Sequence, residues 1–407
     1  MKTYYKLIII FLVITCSCTN KKEQYQQIEV VKSVNFKTGL SGLACLDINY
    51  CYDKNLKKDF VFFAKMESFI KSFDLDGNLI DSISLKKYIG TALEIPLCYS
   101  VYTIDTIVIY PYRKNLLAFI NNNGEILKSY YINDLLEDSI KNDFWYRCYR
   151  SPYSLETTNK LYIPTIQNFR EVAEKKFGIK EVTLQQDHKY YYTQWMLYTY
   201  LLEITNFLDD TVTANLILSD YYKTTYPEGD MNSYADKNYF YSNENHLFMM
   251  NSCQSKITMF DTKNYQKIKE INVTSKYTKM GLKPFYCPSE DYPQYSQQVT
   301  KYSSYAYGPR ISRMFYNNKT KQYYVILTHE LKNIEEWESL NNGDYRPFSV
   351  VIYDEDFENP KEYAFAAHTY IGTNCFISEE GLWLQRKPEK LTKENYGTQT
   401  FDLLKFN

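Results

Sequence analysis

The sequence of 407 residues predicts an all-β protein, a six-bladed β-propeller made of four-stranded blades. Three observations lead to this fold class. A unit of four short apolar strands joined by tight polar turns occurs six times along the chain. A spare strand precedes the first unit, whereas the last unit is one strand short. Apolar residues make up 44% of the chain and aromatic residues 17%, which is enough for a sizeable core.

The clearest hairpins of the repeat lie in its first two copies. Residues 69–85 form one around Gly77, and residues 116–132 form the other around Asn123-Gly124. Asn-Gly is a strong hairpin signal because the turn needs residues with positive φ. Further hairpins are expected in residues 200–218, 257–273 and 349–365. The second strands of the six copies are expected near residues 60, 107, 161, 246, 323 and 381.

The two ends of the repeat are expected to pair with each other. The sixth copy stops after its third strand, residues 400–406, and Ile28–Phe36 is a strand without a unit of its own. Pairing of these two segments would close a ring and remove the exposed sheet edges of an open array. Residues 28–407 are therefore predicted to form a single propeller domain. The alternative is a pair of β-sandwich domains, which would not need the same unit six times.

The repeat sorts the loops onto two faces. The turns between the first and second strands, and between the third and fourth, share one face and are short; we name it the short-turn face. The loops between the second and third strands share the other face with the links between blades. This long-loop face holds every long segment, including two with a helix-capping pattern that begins at Asn168 and Asn333. Long loops on one rigid face usually carry function.

The N-terminus has the order of a secretory signal. Two lysines precede eight unbroken apolar residues, and small or polar residues follow. Eight apolar residues are too few to span a bilayer, which needs about 20. The end of the run resembles a bacterial lipobox, because Ser17 provides the small residue favoured before the lipidated Cys18. Thr15 departs from the pattern, where Leu is usual. The alternative is an ordinary secretion signal with incidental cysteines.

These features define three segments. Residues 1–17 are expected to be a lipoprotein signal peptide, and residues 18–27 a polar tether that starts at the lipidated Cys18. Thr19 follows the cysteine, where an Asp would signal retention in the inner membrane of enterobacteria. The expected location is therefore the outer membrane, with the domain facing the periplasm or the cell surface.

The lipobox at Cys18 and the six hairpin units together resemble a broad group of bacterial lipoproteins. These are built on TolB-like or NHL-like six-bladed propellers, and many are uncharacterised. The resemblance covers residues 18–407, but it is one of pattern and brings no catalytic motif with it. Since this fold hosts binding proteins and hydrolases alike, the resemblance implies a fold rather than an activity.

Charge and missing motifs exclude several functions. The chain has 47 Lys and Arg against 48 Asp and Glu, so a nucleic-acid partner is not expected. None of the four histidines forms a short metal-ligand spacing, and His329 is expected to be a solvated loop residue. There is no GxSxG elbow, no phosphate-binding glycine loop and no CxxC pair. We therefore predict no metal, no cofactor and no catalytic residue, and an enzyme is the less favoured interpretation.

Arginine is informative because it is rare, with 8 arginines against 39 lysines. Arg suits bidentate pairing and planar stacking better than Lys does. Five arginines from four copies are expected on the long-loop face and are the candidate ligand-binding residues: Arg113, Arg150, Arg310, Arg346 and Arg386. Their ligand would be anionic, such as an acidic glycan or a carboxylate-bearing peptide. The rival hypothesis is that each arginine clamps a loop through a carboxylate such as Glu171, Glu335 or Asp344.

Two functions are compatible with this sequence. The favoured one is a lipid-anchored binding or scaffold protein of the cell envelope, attached to the membrane and presenting its long-loop face to a ligand or protein partner. The alternative is a propeller hydrolase that acts on a glycan or lactone, with carboxylates near the central channel.

We expect Cys18 to be the acylated N-terminus of the mature protein. Mass spectrometry of that N-terminus should show an acylated cysteine followed by Thr19. Replacement of Cys18 by Ala should abolish acylation, and the matched Cys16→Ala variant should leave it unchanged. An unmodified start beyond residue 20 would contradict the prediction.

Overall fold

Four-stranded antiparallel sheets repeat around a ring in the computed structural model of the chain. It describes residues 28–39, 47–65, 69–88, 91, 93, 97–111, 116–137, 144–145, 153–155, 160–167, 199–209, 211–218, 238–251, 255–281, 308–340, 344–388 and 396–407. Six such sheets are found in these ranges, so the predicted all-β six-bladed propeller is confirmed.

The strands are numbered in chain order, and β1 (Ile28–Phe36) belongs to the last blade. Blade 1 consists of β2 (Asp47–Asp53), β3 (Lys58–Lys65), β4 (Phe69–Asp74) and β5 (Leu79–Ser84). Blade 2 consists of β6 (Leu97–Thr103), β7 (Thr106–Pro111), β8 (Leu116–Ile120) and β9 (Ile126–Tyr131). Blade 3 consists of β10 (Phe144–Trp145), β11 (Tyr153–Leu155), β12 (Lys160–Gln167), β13 (Thr199–Thr205) and β14 (Thr213–Ile217).

The second half of the ring follows the same order. Blade 4 consists of β15 (Asn238–Ser242), β16 (His246–Asn251), β17 (Lys256–Asp261) and β18 (Lys267–Asn272). Blade 5 consists of β19 (Arg310–Asn317), β20 (Gln322–Thr328), β21 (Phe348–Tyr353) and β22 (Lys361–Phe365). Blade 6 consists of β23 (Tyr370–Ser378), β24 (Gly381–Arg386), β25 (Gln399–Phe406) and β1.

The six second strands lie where the sequence predicts them. They are β3, β7, β12, β16, β20 and β24, and each contains or begins at the expected residue. One irregularity was not expected. The first strand of blade 3 is split, because β10 and β11 both pair with β12, one at each end of it.

Among the described residues, three short helices lie on the long-loop face. A 3-10 helix (Leu85–Tyr88) follows β5, α1 (Ile132–Leu135) follows β9, and α2 (Ile334–Ser339) follows β20. The capping pattern at α2 is confirmed, because the Asn333 side chain accepts a hydrogen bond from the Glu336 N–H at 3.0 Å. The similar pattern at Asn168 lies outside the described residues. None of the helices in the described ranges has the length and apolar character needed to cross a membrane.

Six apolar clusters, one at each junction of adjacent blades, form the core. Consecutive residues of a central strand alternate between two of these clusters, as β3 shows. Phe60 and Phe62 pack toward blade 2, whereas Val61 and Phe63 pack toward blade 6. This two-sided burial explains why the central strands are continuous apolar runs instead of alternating with polar residues.

The predicted closure of the ring is confirmed by the pairing of β1 with β25. Their register runs from Ile28 opposite Phe406 to Phe36 opposite Gln399. Phe36 is fully buried, with ring centroids 5.1 Å from Phe63 of blade 1 and 5.7 Å from Phe401 of blade 6. The N-terminal strand therefore completes blade 6 and supplies part of the interface with blade 1.

A β-bulge occurs near the start of the fourth strand in four blades. In each case the registers on either side leave one residue of that strand unpaired: Val31, Ile80, Leu127 and Ile268. A bulge reverses the alternation of side chains and re-aims the residue that follows it.

In three of these four strands the residue after the bulge is a lysine that reaches the outer turn of the next blade. Lys32 pairs with Asp76 at 2.6 Å, Lys128 donates to the Leu208 carbonyl at 2.8 Å, and Lys269 donates to the Asp356 carbonyl at 2.6 Å. In these three blades the bulge thus directs a lysine to the neighbouring blade, and we name these contacts the lysine latches.

We expect the closure strand to be essential for stability. Removal of residues 23–36 should abolish the cooperative unfolding transition of the domain. The ring is then open, and the sides of blades 6 and 1 that pack against each other become exposed. The milder Phe36→Ala variant should lower the free energy of unfolding by about 3 to 5 kcal/mol, since a fully buried ring is lost.

Thermal and denaturant unfolding would measure both effects. The matched control is Val31→Ala in the same strand, where the side chain is 54% exposed and a change within about 0.5 kcal/mol is expected. A truncated protein that melts like the intact one would contradict the importance of closure.

Candidate functional site

The described part of the long-loop face is most complete at blades 5 and 6. First strands begin and second strands end on this face, so Arg310, at the start of β19, and Arg386, at the end of β24, both lie there. Arg346 lies in the loop between β20 and β21. Three of the five candidate arginines are therefore in one sector. Arg113 and Arg150, together with Cys18, lie outside the described residues.

Arg346 is buried and joins three segments of blade 5. Only 3% of the residue is exposed, and its guanidinium Nη2 donates to the backbone carbonyls of Gly308, at 3.0 Å, and of His329. Gly308 belongs to the link that enters the blade, and His329 follows β20. This is the geometry of a loop clamp, and its acceptors include these two backbone carbonyls.

His329 is buried beside this clamp, whereas the sequence suggested a solvated residue. Its Nε2 lies 2.6 Å from the Ser349 hydroxyl, and its ring stacks on Tyr277 with centroids 6.1 Å apart. Burial lowers the pKa of His329; Arg346 adds to this effect and Glu362 opposes it. The prediction failed because a loop position gives no sign that the loop folds back over β21.

Arg386 forms a bidentate ion pair with Asp402. Its Nε lies 2.9 Å from Oδ2 and its Nη2 lies 2.7 Å from Oδ1 of this carboxylate. The Asp402 side chain is fully buried, whereas 44% of the Arg386 side chain is exposed. Hydrogen bonding to Asp402 raises the pKa of Arg386 further above its usual range.

Two hydroxyl groups complete the shell around Asp402. Ser33 donates to Oδ1 at 2.7 Å, and Tyr370 donates to Oδ2 at 2.8 Å. Burial, together with the hydrogen bond to Asp402, raises the pKa of Tyr370 to about 12, so this hydroxyl stays a donor at neutral pH. All four strands of blade 6 contribute a residue to this network, which fixes Arg386 in place.

An exposed cluster of aromatic and basic groups lies at the junction of blades 5 and 6. The Lys387 ammonium is 3.2 Å from Nδ1 of His368 and 4.9 Å from the centre of the Tyr345 ring. Backbone hydrogen bonds of 3.0 Å join His368 N–H to the Tyr345 carbonyl and Lys387 N–H to the Thr369 carbonyl. We name Arg386, Lys387, His368 and Tyr345 the cationic patch.

Sequence reasoning found only one of these four residues. Lys387 was overlooked because lysines occur on both faces, yet its position directly after Arg386 was a usable signal. Asp402 was also missed, although a lone carboxylate between Phe401 and Leu403 in an apolar strand indicates a buried pair. In the part of the chain that the structure describes, no group of three His, Cys, Asp or Glu side chains could hold a metal ion.

The fold is shared with a solved structure. A member of the DUF4221 family from Bacteroides vulgatus ATCC 8482 is similar, with a TM-score of 0.64 and 15% identity over 95% of this chain and 99% of that chain. Weaker likenesses are to streptogramin B lyase, with a TM-score of 0.42 and 12% identity over 95% and 100% of the two chains, and to a protein of Bacteroides fragilis NCTC 9343, with a TM-score of 0.46 and 10% identity over 93% and 95%.

At 15% identity, the first of these similarities shows the fold alone, and the other two are too weak to support an argument. No family model matches the sequence. No curated protein matches it either.

We expect His329 to make stability depend on pH. Its folded pKa is lowered below the ordinary 6.5, so the folded protein favours the neutral ring. This contribution is present above pH 6.5 and is lost as the pH falls from there toward the folded pKa. The free energy of unfolding should therefore decrease between pH 7.5 and about 5.5, and His329→Gln should reduce that decrease.

Denaturant titrations at the two pH values would measure the difference. An unchanged pH dependence in His329→Gln would contradict the prediction.

Proposed function

We propose that the protein is a lipid-anchored binding protein of the cell envelope that presents the long-loop face of its propeller to an anionic ligand or partner. The observation that carries this proposal is the cationic patch at the junction of blades 5 and 6. The lipid anchor at Cys18, the outer-membrane location and the roles of Arg113, Arg150 and Arg310 belong to the same proposal.

The electrostatics of the patch favour an anion. The chain as a whole has a net charge of −1, so no general basic field surrounds the patch and its attraction is local. Asp402 neutralises part of the Arg386 charge, but Nη1 is not used in that pair. Lys387 donates to Nδ1 of His368, which leaves the ring Nε2–H as a further donor.

Tyr345 gives the cationic patch a second way to contact a ligand. The Tyr345 ring lies beside both Lys387 and His368, with its centroid 5.7 Å from that of the imidazole. A ring of this kind packs against the apolar face of a sugar or peptide while the cations bind its acidic groups. An acidic glycan and a carboxylate-bearing peptide both offer that combination.

The patch is also preorganised. The Asp402 network fixes Arg386, two backbone hydrogen bonds fix His368 and Lys387, and Arg346 ties down the neighbouring loop of blade 5. Groups that are already ordered lose less conformational freedom on binding, so more of the interaction energy appears as affinity.

The test is binding of an acidic polysaccharide, polygalacturonate, to the purified chain. Affinity should fall by about fivefold in Lys387→Gln and in Arg386→Gln, since each removes a charge-assisted contact. It should also weaken as salt is raised from low to physiological concentration. Isothermal titration calorimetry measures both effects, and the neutral polysaccharide dextran serves as the reference ligand.

Three variants distinguish ligand binding by the cationic patch from clamping of loops. Arg346→Lys should lower the melting temperature because a buried clamp is weakened. Lys387→Gln should leave the melting temperature unchanged, since Lys387 makes only surface contacts. The matched charge control is Lys267→Gln on a distant outer strand, which should keep full affinity. If Lys387→Gln binds like the parent protein, or Lys267→Gln binds as weakly as Lys387→Gln, the patch is not the ligand site.

A further inference from the structure

The four bulged residues are all aliphatic, and their position at a bulge does not explain why. Each is aliphatic and about half exposed: Val31 at 54%, Ile80 at 49%, Leu127 at 51% and Ile268 at 50%. We name these four the apolar rim. A large aliphatic side chain gains nothing from contact with water, and its recurrence at the equivalent position of four blades is the observation to be explained.

The lysine latches account for three of the four bulges but not for the aliphatic residues. A bulge needs one extra residue and a following side chain that reaches the next blade. Any polar residue at the bulge itself would meet that need, and charged residues are the usual protection of an exposed edge strand. Nevertheless all four bulged positions have Val, Leu or Ile.

The residues that precede the bulges extend the same surface. Val30 is 45% exposed, Leu79 53% and Ile126 51%, so three blades have two adjacent exposed aliphatic side chains. In blade 3, which has no bulge in its fourth strand, Leu208 is 37% exposed in the turn before that strand. The exposed apolar groups thus occur in five of the six blades.

All of these groups lie at the end of the outer strands that adjoins the short-turn face. The topology places Ile28 at the same end, because it pairs with Phe406, the last residue of β25. The chain therefore enters the propeller at the apolar rim and on the side away from the cationic patch. Nine residues lie between Cys18 and Ile28, so the two are ten residue steps apart and at most about 36 Å from each other.

We infer that the apolar rim docks onto the lipid surface to which the N-terminus is anchored. The inference rests on the anchored state in the proposed function but concerns a different surface. Aliphatic side chains of this kind enter the boundary between headgroups and acyl chains. Lys128 and Lys269 directly follow two of the bulged residues, and their positive charges suit an anionic headgroup layer.

Docking in this way orients the molecule. The short-turn face lies toward the bilayer, and the long-loop face with its cationic patch points away from it. The tether before Ile28 then keeps the rim within reach of the membrane.

The experiment places a tryptophan on each side of the propeller. Leu127→Trp introduces it at the apolar rim, and Tyr277→Trp introduces it at a side chain that is 55% exposed on the long-loop side. The acylated proteins are inserted into phosphatidylethanolamine–phosphatidylglycerol vesicles that contain brominated acyl chains. The added fluorescence of Leu127→Trp should be quenched at least threefold more than that of Tyr277→Trp. Equal quenching of the two, or none of either, would overturn the inference.

A second measurement does not need the anchor. The chain starting at Thr19 retains every strand of the propeller and should cosediment weakly with the same vesicles. A variant with Ser at Val31, Ile80, Leu127 and Ile268 should bind about fivefold less while its melting temperature is maintained. The control with Ser at Tyr277 and Tyr396, both exposed on the long-loop side, should bind as the parent chain does.

Two other outcomes would overturn docking of the apolar rim onto lipid. Dimerisation of the parent chain in sedimentation equilibrium that the four serines abolish would identify a second copy as the occupant and overturn lipid docking. Equal vesicle binding by the four-serine variant would likewise refute it. Neither result concerns polygalacturonate binding, which tests the cationic patch. The proposed function and this inference are therefore tested separately.

Discussion

The pairing of β1 with β25 is the constraint on which the rest of the structure depends. Every blade buries its two sides against its neighbours, and the apolar cluster between blades 6 and 1 forms only when the ring is closed. Closure is achieved by backbone hydrogen bonds between the two ends of the chain and by Phe36, which packs into the junction of blades 6 and 1. Elements that are distant in sequence thereby become a single cooperative unit.

The candidate site is built across the same seam. Asp402 comes from β25 and Ser33 from β1, and both hold Arg386, so the N-terminal strand supports the long-loop face directly. The position of the cationic patch is therefore coupled to closure, because Asp402 and Arg386 would lose their hydrogen bonds with Ser33 in an open ring. This coupling links the stability of the fold to the geometry of the patch.

Most of the fold could be predicted from sequence, because hairpins and buried strands leave local signals such as Asn-Gly turns and apolar runs. The site could be predicted only in part. Arg386 was found from residue type and position, but its partner Asp402 and its neighbours His368 and Tyr345 come from other strands and loops. Burial of His329 and Arg346 depends on how a loop folds back, which no local pattern indicates. The lysine latches were also missed, since bulges follow from register between strands and not from one strand alone.

The direction of β1 has a mechanical consequence. The strand enters the ring at Ile28 and runs antiparallel to β25 over its whole length, so tension on the preceding residues acts along the strand. Such tension acts on all the hydrogen bonds between β1 and β25 at once, in shear, instead of breaking them one after another from one end. A partner that pulls on the long-loop face while the N-terminus is held would therefore load the pairing of β1 with β25 in its stronger direction.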